Sequence, residues 1–292
     1  MIRIVCNIML VMLFVSCQKI DSFMFENVVI QEYELEEYIG ETQIIIDSSY
    51  AIDADKMHLL SFSSGGHTIY GVYIGDTQTI DKDTVIMYCH GNAGHIDWYW
   101  SRQKLLAHVG GKYRYGVLMI DYKGYGMSQG QPTQAGLVED IQSGINWLQS
   151  KGLSQDRLVI YGFSLGSYPS TYLSASDDLN SLKPSKLILE APFASTKVMV
   201  NDASKLSMSN KYYTTTDYAV ADLIKAVDQP FLWMHGKDDA FLSIKTHGEV
   251  VFKNYLGNDN TALRVDSADH SDLPYVYGYE PYKQVLLDFI TK

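Results

Sequence analysis

The chain has 292 residues, of which 46% are hydrophobic, enough to bury the core of one large α/β domain or of two small ones. Its net charge of −11 differs from the basic composition of nucleic-acid-binding proteins. The same charge disfavours non-specific adsorption to anionic lipid. We therefore expect no nucleic-acid partner.

The first residues have the features of a bacterial export signal. Arg3 precedes an apolar run over residues 4–15 that is too short to span a bilayer comfortably but suits a signal peptide. Phe14-Val15-Ser16-Cys17 resembles a lipobox, with Phe14 where leucine is usual. We expect residues 1–16 to be a signal peptide and Cys17 to be lipidated, anchoring an exported protein to a membrane. Ordinary cleavage or an uncleaved signal anchor are the alternatives.

The next residues, 17–41, are acidic and are predicted to form a tether or a short lead-in helix. Residues 43–46 and 67–74 have strand composition, and the Ser-Ser-Gly-Gly sequence at 63–66 predicts a turn between neighbouring antiparallel strands. A single domain over residues 42–292 is the simplest interpretation of the chain, because no linker or internal repeat divides it.

The rest of the chain alternates short apolar runs with helical patterns. The runs lie at 85–89, 117–121, 158–161, 186–190, 230–234 and 262–265, and the helical patterns near 98–109, 136–150, 167–175, 244–255 and 281–290. This alternation predicts an α/β fold with a mostly parallel sheet and helices on both of its faces. Residues 194–228 have no clear periodicity, which suggests a short cap or lid.

One motif carries the main indication of chemistry. Gly162-Phe163-Ser164-Leu165-Gly166 lies between an apolar run and a helical pattern, the strand–turn–helix setting of a nucleophilic serine. Glycines two residues to either side of Ser164 allow the strand and the helix to approach closely. We therefore expect Ser164 to project from a sharp turn as a nucleophile.

The chain resembles the α/β-hydrolase superfamily over about residues 42–290. It is most similar to small serine hydrolases with minimal caps, which are related to the catalytic domain of prolyl oligopeptidases. Four motifs occur in the family order: His90-Gly91-Asn92-Ala93-Gly94, Asp121-Tyr122-Lys123-Gly124-Tyr125-Gly126, Gly162 to Gly166, and His235-Gly236 with the acids that follow it. The resemblance implies the α/β-hydrolase fold and a catalytic triad in the order serine, acid, histidine.

The resemblance also assigns the other members of the triad. His270 follows the last predicted strand and is expected to be the general base that accepts the Ser164 proton. The acid follows the run at 230–234, where Asp238 and Asp239 compete. The hydrophobic pair after them favours Asp239, but Ser243 replaces the usual proline, so Asp238 stays open as the alternative acid.

Two backbone N–H groups are needed to stabilise the oxyanion. The resemblance points to Leu165, which follows the nucleophile, and to Asn92 in the loop after residue 89. It gives His90 a bracing role in that loop rather than a role in proton transfer. Lys123 replaces the family's arginine and cannot reproduce its planar fork.

No clustered cysteines and histidines indicate a metal site, and no dinucleotide fingerprint opens the first β–α unit, so no cofactor is expected. We expect a serine hydrolase that cleaves a small acyl-containing substrate, most simply a carboxylester; a thioester or an amide would suit the same residues. A peptidase or an acyltransferase would use the same residues. A non-catalytic, lipid-anchored binding protein is the alternative from another functional class, because a fold alone does not determine a function.

Overall fold

The computed structural model describes residues 18–19, 24–177, 181–206, 212–213 and 215–292. The predicted signal peptide, residues 1–16, and the predicted lipidation site Cys17 lie outside the described residues. Within the part of the chain that is described, no helix is both long enough and apolar enough to cross a membrane.

An eight-stranded sheet forms the centre of the protein. In chain order its strands are β1 Met57–Ser64, β2 His67–Ile74, β3 Val85–Cys89, β4 Gly116–Ile120, β5 Leu158–Phe163, β6 Lys186–Glu190, β7 Phe231–Gly236 and β8 Asn260–Val265. Across the sheet the order is β8-β7-β6-β5-β3-β4-β2-β1. Only the β4–β2 and β2–β1 pairs of this sheet are antiparallel. The sheet is therefore mostly parallel, as the alternating apolar runs predict.

The central strands are buried on both faces, which explains their continuously apolar sequences. In β3, Val85, Met87 and Cys89 belong to the hydrophobic core on one side of the sheet. The alternate residues Ile86 and Tyr88 belong to the core on the other side. Helices cover both cores, so the carboxyl ends of the parallel strands are the accessible edge at which a site can form.

Five of the described helices follow the predicted positions with small shifts of their ends, whereas those at 196–206, 220–223 and 273–277 lie where no helix is predicted. The bounds of the described helices are α1 Trp100–Ala107, α2 Gln134–Ser150, α3 Ser167–Ala175, α4 Thr196–Leu206, α5 Val220–Leu223, α6 Gly248–Asn254, α7 Leu273–Tyr277 and α8 Tyr279–Thr291. The hydroxyl oxygen of Thr133 accepts a hydrogen bond from Gly136 N at 3.0 Å and so caps the start of α2.

The predicted strand at residues 43–46 is wrong. Those residues form no strand, and the outer strand of the sheet is β1, Met57–Ser64. β1 and β2 form a hairpin whose turn, Gly65 and Gly66, has φ values of +54° and +81°. Backbone in this left-handed region favours glycine, so the turn selects β1 as the partner of β2.

Residues 24–43, which we call the strap, differ from the predicted tether or lead-in helix. Their only helical turn within the described chain is a single 3-10 turn at Leu35–Glu37. Glu26–Asn27 pairs in parallel with Ala93–Gly94, and Val29 forms a bridge with Gly126. The strap thus lies along two loops at the carboxyl edge of the sheet and is held there by backbone pairing.

Candidate active site

Ser164 lies at the tip of a sharp turn between β5 and α3. Its φ is +49°, a left-handed conformation that is strained for a residue with a side chain. A Cβ atom on Gly162 would lie 2.6 Å from the carbonyl oxygen of Gly166, and one on Gly166 would lie 2.0 Å from that of Cys89. The two glycines are therefore required by close backbone contact, and Ser164, although largely buried, borders the cavities of the site.

His270 joins the predicted nucleophile to the predicted acid. Its Nε2 atom lies 2.9 Å from Ser164 Oγ, and its Nδ1 atom lies 2.8 Å from Asp239 Oδ2. The ring of Phe241 meets the His270 ring edge-on, with a centroid separation of 5.0 Å. The structure thus brings together the serine, histidine and acid that the sequence analysis proposes, in one hydrogen-bonded chain.

The structure also separates the two competing aspartates. Asp239 is buried, and its Oδ1 atom accepts hydrogen bonds from the backbone N–H groups of Phe241 and Leu242. Asp238 is exposed, and its backbone N–H donates to Ala268 O. The carboxylate that meets His270 is therefore that of Asp239 and not that of the alternative acid.

A second histidine, His235, also contacts the carboxylate of Asp239. The Nε2 atom of buried His235 lies 3.1 Å from Asp239 Oδ2 and 2.9 Å from Leu242 O. Burial alone would raise the pKa of Asp239, but hydrogen bonds from His235 and His270 outweigh it and hold that pKa below its ordinary value. The carboxylate therefore stays ionised next to His270, the state that stabilises an imidazolium ion.

The loop after β3 carries the predicted oxyanion residue Asn92. Its side-chain Oδ1 atom accepts hydrogen bonds from Tyr125 Oη at 2.9 Å and from Glu26 N in the strap at 3.3 Å. His90 is fully buried, and its Nδ1 atom lies 2.8 Å from Gly91 O. These contacts fix the loop beside Ser164, and the adjacent residue Leu165 begins the turn into α3.

Lys123, which replaces the family's arginine, has no hydrogen bond to Ser164 among the described contacts. Its Nζ atom lies 2.7 Å from Asp140 Oδ1 and 2.9 Å from Ser64 Oγ, and it forms a further ion pair with Glu139. Because Asp140 is buried, this ion pair compensates a buried charge. Lys123 therefore ties the loop at 121–126 to α2 and to β1.

A buried arginine that the sequence analysis did not identify links the site to the strap. Arg102 donates to Glu41 Oε2 at 2.6 Å, to Glu190 Oε1 at 2.7 Å and to Ser271 O at 2.7 Å. Its guanidinium carbon lies 3.9 Å from the centre of the Phe163 ring. Arg102 therefore binds the backbone of Ser271, next to His270, and stacks on Phe163, next to Ser164. In the sequence it is a charged residue in an otherwise unremarkable helix, so only its burial identifies it.

Among the described residues, two cavities meet at Ser164. The larger, about 260 Å³, is lined mainly by polar and aromatic groups that include Glu26, Trp98 and His270. The smaller, about 40 Å³, is lined mainly by apolar side chains that include Met24 and Leu165. Met199 and Tyr218, which lie in the predicted lid segment 194–228, also line the apolar cavity.

Comparisons with known sequences match this architecture. A sequence model described as the alpha/beta hydrolase fold matches residues 84–232. The Escherichia coli K12 protein YfhR is 28% identical over 207 residues, which cover 70% of this chain and 69% of that protein. Lysophosphatidylserine lipase ABHD12 of Xenopus tropicalis is 26% identical over 257 residues, which cover 77% of this chain and 64% of that protein.

Solved structures agree on the fold. The Pyrococcus furiosus esterase Pf2001 superposes with a TM-score of 0.64 at 14% identity, covering 89% of this chain and 98% of that chain. Est1E of Butyrivibrio proteoclasticus, solved with ferulic acid bound, gives a TM-score of 0.61 at 17% identity, covering 80% of this chain and all of that chain. The predicted fold class is confirmed. Because the matched family region also spans half of the sequence, the chain belongs to the alpha/beta hydrolase family.

Proposed function

We propose that the protein is a serine hydrolase that cleaves a carboxylic ester through an acyl-enzyme on Ser164. The observation that carries the proposal is the hydrogen-bonded chain from Ser164 Oγ through His270 to Asp239. A serine becomes a nucleophile when a positioned base accepts its proton and a third group orients that base. Both conditions have a residue with suitable geometry in this site.

The proposed reaction has two halves. Ser164 Oγ attacks the ester carbonyl while His270 Nε2 takes the hydroxyl proton, and the backbone N–H groups of Asn92 and Leu165 stabilise the oxyanion. His270 then gives the proton to the departing alcohol, which leaves an acyl group on Ser164. A water molecule, deprotonated by His270, attacks this acyl group, and return of the proton to Ser164 releases the acid.

The choice of an ester over an amide rests on the proteins that resemble this chain. One sequence relative is named a lipase, and the Pyrococcus furiosus structural neighbour is named an esterase. These names support the kind of bond cleaved and leave the identity of the acyl and alcohol groups to be inferred from the cavities of this protein.

The decisive experiment uses the serine itself. The protein is expected to react with a fluorophosphonate probe and to hydrolyse p-nitrophenyl acetate. Ser164→Ala is expected to abolish labelling and to lower turnover by about 10⁶-fold, as loss of the nucleophile does in comparable triads. Labelling that persists in Ser164→Ala would contradict the proposal and would point to a different nucleophile. A wild-type protein that is neither labelled nor active would contradict it in favour of a binding protein.

The neighbouring aspartates provide a matched pair. Asp239→Asn is expected to lower turnover by roughly 10⁴-fold, because an amide cannot hold His270 in the required tautomer. Asp238→Asn changes the same functional group one residue away on an exposed side chain and is expected to leave turnover close to wild type. Equal effects of the two substitutions on hydrolysis would contradict the role of Asp239 as the acid of the triad.

A further inference from the structure

The proposed reaction indicates which part of the substrate each of the two cavities holds. The departing alcohol must receive its proton from His270 Nε2, so it has to leave on the side of Ser164 that His270 lines. His270 lines the larger, polar cavity. Leu165, a proposed oxyanion residue, lines the smaller, apolar cavity, and His270 is not among the residues that line it. The alcohol therefore occupies the polar cavity, and the acyl chain points into the apolar one.

The strap supplies part of the wall of both cavities. Met24 lines the apolar acyl side, and Glu26, Glu41 and Gln43 line the polar alcohol side. Pairing of Glu26–Asn27 with Ala93–Gly94 fixes the backbone of this wall beside the oxyanion loop. All of these strap residues precede residue 84, where the match to the family begins. The wall is thus contributed by a part of the chain outside the matched family region.

The alcohol side carries an uncompensated negative charge. Glu41 shares the Arg102 guanidinium with Glu190, whereas Glu26 is exposed and has no ion-pair partner among the described residues. Of the described residues that line this cavity, none is a lysine or an arginine. The half-buried ring of Trp98 and the buried ring of Tyr99 also border the cavity. A carboxylate beside aromatic rings is a favourable setting for an organic cation.

We propose that the strap selects the substrate, and that the preferred substrate is an ester whose alcohol part carries a positive charge. The inference rests on the proposed ester hydrolysis and assigns a substrate class to the same site. Glu26 attracts the cationic alcohol into the polar cavity, and Trp98 offers a ring face for the alcohol's methyl or methylene groups. The acyl group then lies against Met24 in the apolar cavity.

The test compares two esters that differ only in charge. Acetylcholine and its neutral isostere 3,3-dimethylbutyl acetate share the acyl group and the shape of the alcohol. For the full-length protein we expect kcat/KM to be about three- to tenfold higher for the cationic ester, the range expected of one partly solvated charge pair. The preference is expected to shrink at an ionic strength of about 1 M, where the screening length is about 3 Å.

Glu26→Gln is expected to bring the ratio of the two kcat/KM values close to one. Glu32→Gln removes the same charge from an exposed strap residue that lines neither cavity, and it is expected to keep the wild-type ratio. Equal rates for the two esters in the wild type, or a preference that survives Glu26→Gln, would overturn the inference and leave ester hydrolysis intact. Hydrolysis of neither ester by a protein that does cleave p-nitrophenyl acetate would overturn this inference alone, whereas hydrolysis of none of the three esters would contradict the proposed function as well.

Discussion

His247 shows how a single buried residue can set the pH range of this fold. It is fully buried next to the candidate site, and its Nδ1 atom accepts a hydrogen bond from Ala194 N at 3.0 Å. Its Nε2 atom lies 3.6 Å from Asp202 Oδ2. Burial lowers the pKa of His247 to about 4, and the nearby Asp202 carboxylate offsets only part of this effect. The residue is therefore neutral in the folded protein at neutral pH.

This low pKa predicts a loss of stability in mild acid. The unfolded chain binds a proton at His247 below a pH of about 6.5, whereas the folded protein does not until about pH 4. The free energy of unfolding should therefore fall as the pH decreases through this window, by roughly 3 kcal/mol from His247. Urea unfolding measured at a series of pH values from neutral to acid tests the expectation.

His247→Asn is the informative comparison for that pH dependence. The amide oxygen of asparagine can accept the Ala194 hydrogen bond but does not titrate. We expect the variant to lose less stability than the wild type between neutral pH and the acid end of the window, whatever its stability at neutral pH. The same pH dependence in both proteins would show that another group is responsible.

Residues defined by motif and chain order could be predicted, and residues defined only by burial could not. Ser164 and His270 lie where their positions after strands place them, at the carboxyl edge of a parallel sheet. The choice between Asp238 and Asp239 depends on which carboxylate turns inward, which two adjacent aspartates do not reveal in sequence. Arg102 and His247 matter because they are buried, and burial is a property of the assembled fold.

At the scale of elements, the strap is the part that composition described least well. Its glutamates suggested a solvated tether, yet they belong to a segment whose backbone and aromatic residues pack on the loops of the site. Asp97 accepts hydrogen bonds from Glu34 N at 3.0 Å and from Leu35 N at 2.9 Å. Tyr33 donates a hydrogen bond to Asp121 at 2.6 Å. Both aspartates are buried, so the strap satisfies polar groups of the hydrolase loops.

Loss of the Tyr33 hydroxyl should therefore destabilise the whole domain. Tyr33→Phe keeps the ring but leaves one oxygen of the fully buried Asp121 without its donor. The expected cost is about 1–3 kcal/mol in the free energy of unfolding, the usual penalty for an unsatisfied buried acceptor. Denaturant unfolding monitored by tryptophan fluorescence measures it directly.

Tyr38→Phe is the control for that substitution. Tyr38 lies in the same strap and packs its ring against His95, but its hydroxyl has no hydrogen-bond partner within the described chain. Its removal is expected to change stability by less than about 0.5 kcal/mol. Equal costs for the two substitutions would mean that the strap is held by ring packing rather than by its bond to Asp121.

The buried central strands could be predicted from the sequence, whereas the edge strand β1 could not. The central strands, such as β3 and β5, are apolar on both faces, and that pattern is visible in sequence. β1 is partly exposed at the edge of the sheet and mixes serine and histidine with leucine. Residues 44–46 are three β-branched isoleucines, but they have no strand to pair with. A strand needs a partner, and a local pattern does not contain that information.

Taken as a whole molecule, the protein combines a hydrolase domain with a segment that connects it to its predicted lipid anchor. The seven steps from Cys17 to Met24 span at most roughly 25 Å of extended chain. Met24 already lines the apolar cavity at Ser164. A lipid on Cys17 would therefore keep the candidate active site close to the membrane surface, where it would meet substrates from that side.

Attachment through Cys17 is our proposal for how this protein is localised, and it can be tested on the intact chain. Of the three cysteines, Cys89 is buried, and burial raises the pKa of its thiol to about 12, so it is no acylation site. Cys6 lies within the predicted signal peptide. Cys17→Ala is expected to move the protein from the detergent phase to the aqueous phase in detergent partitioning. Alternatively, the signal peptide stays attached, and mass spectrometry then gives the mass of the uncleaved chain. Cys6→Ala is expected to partition and process as the wild type does, and a Cys17→Ala protein that did the same would refute lipid attachment at this residue.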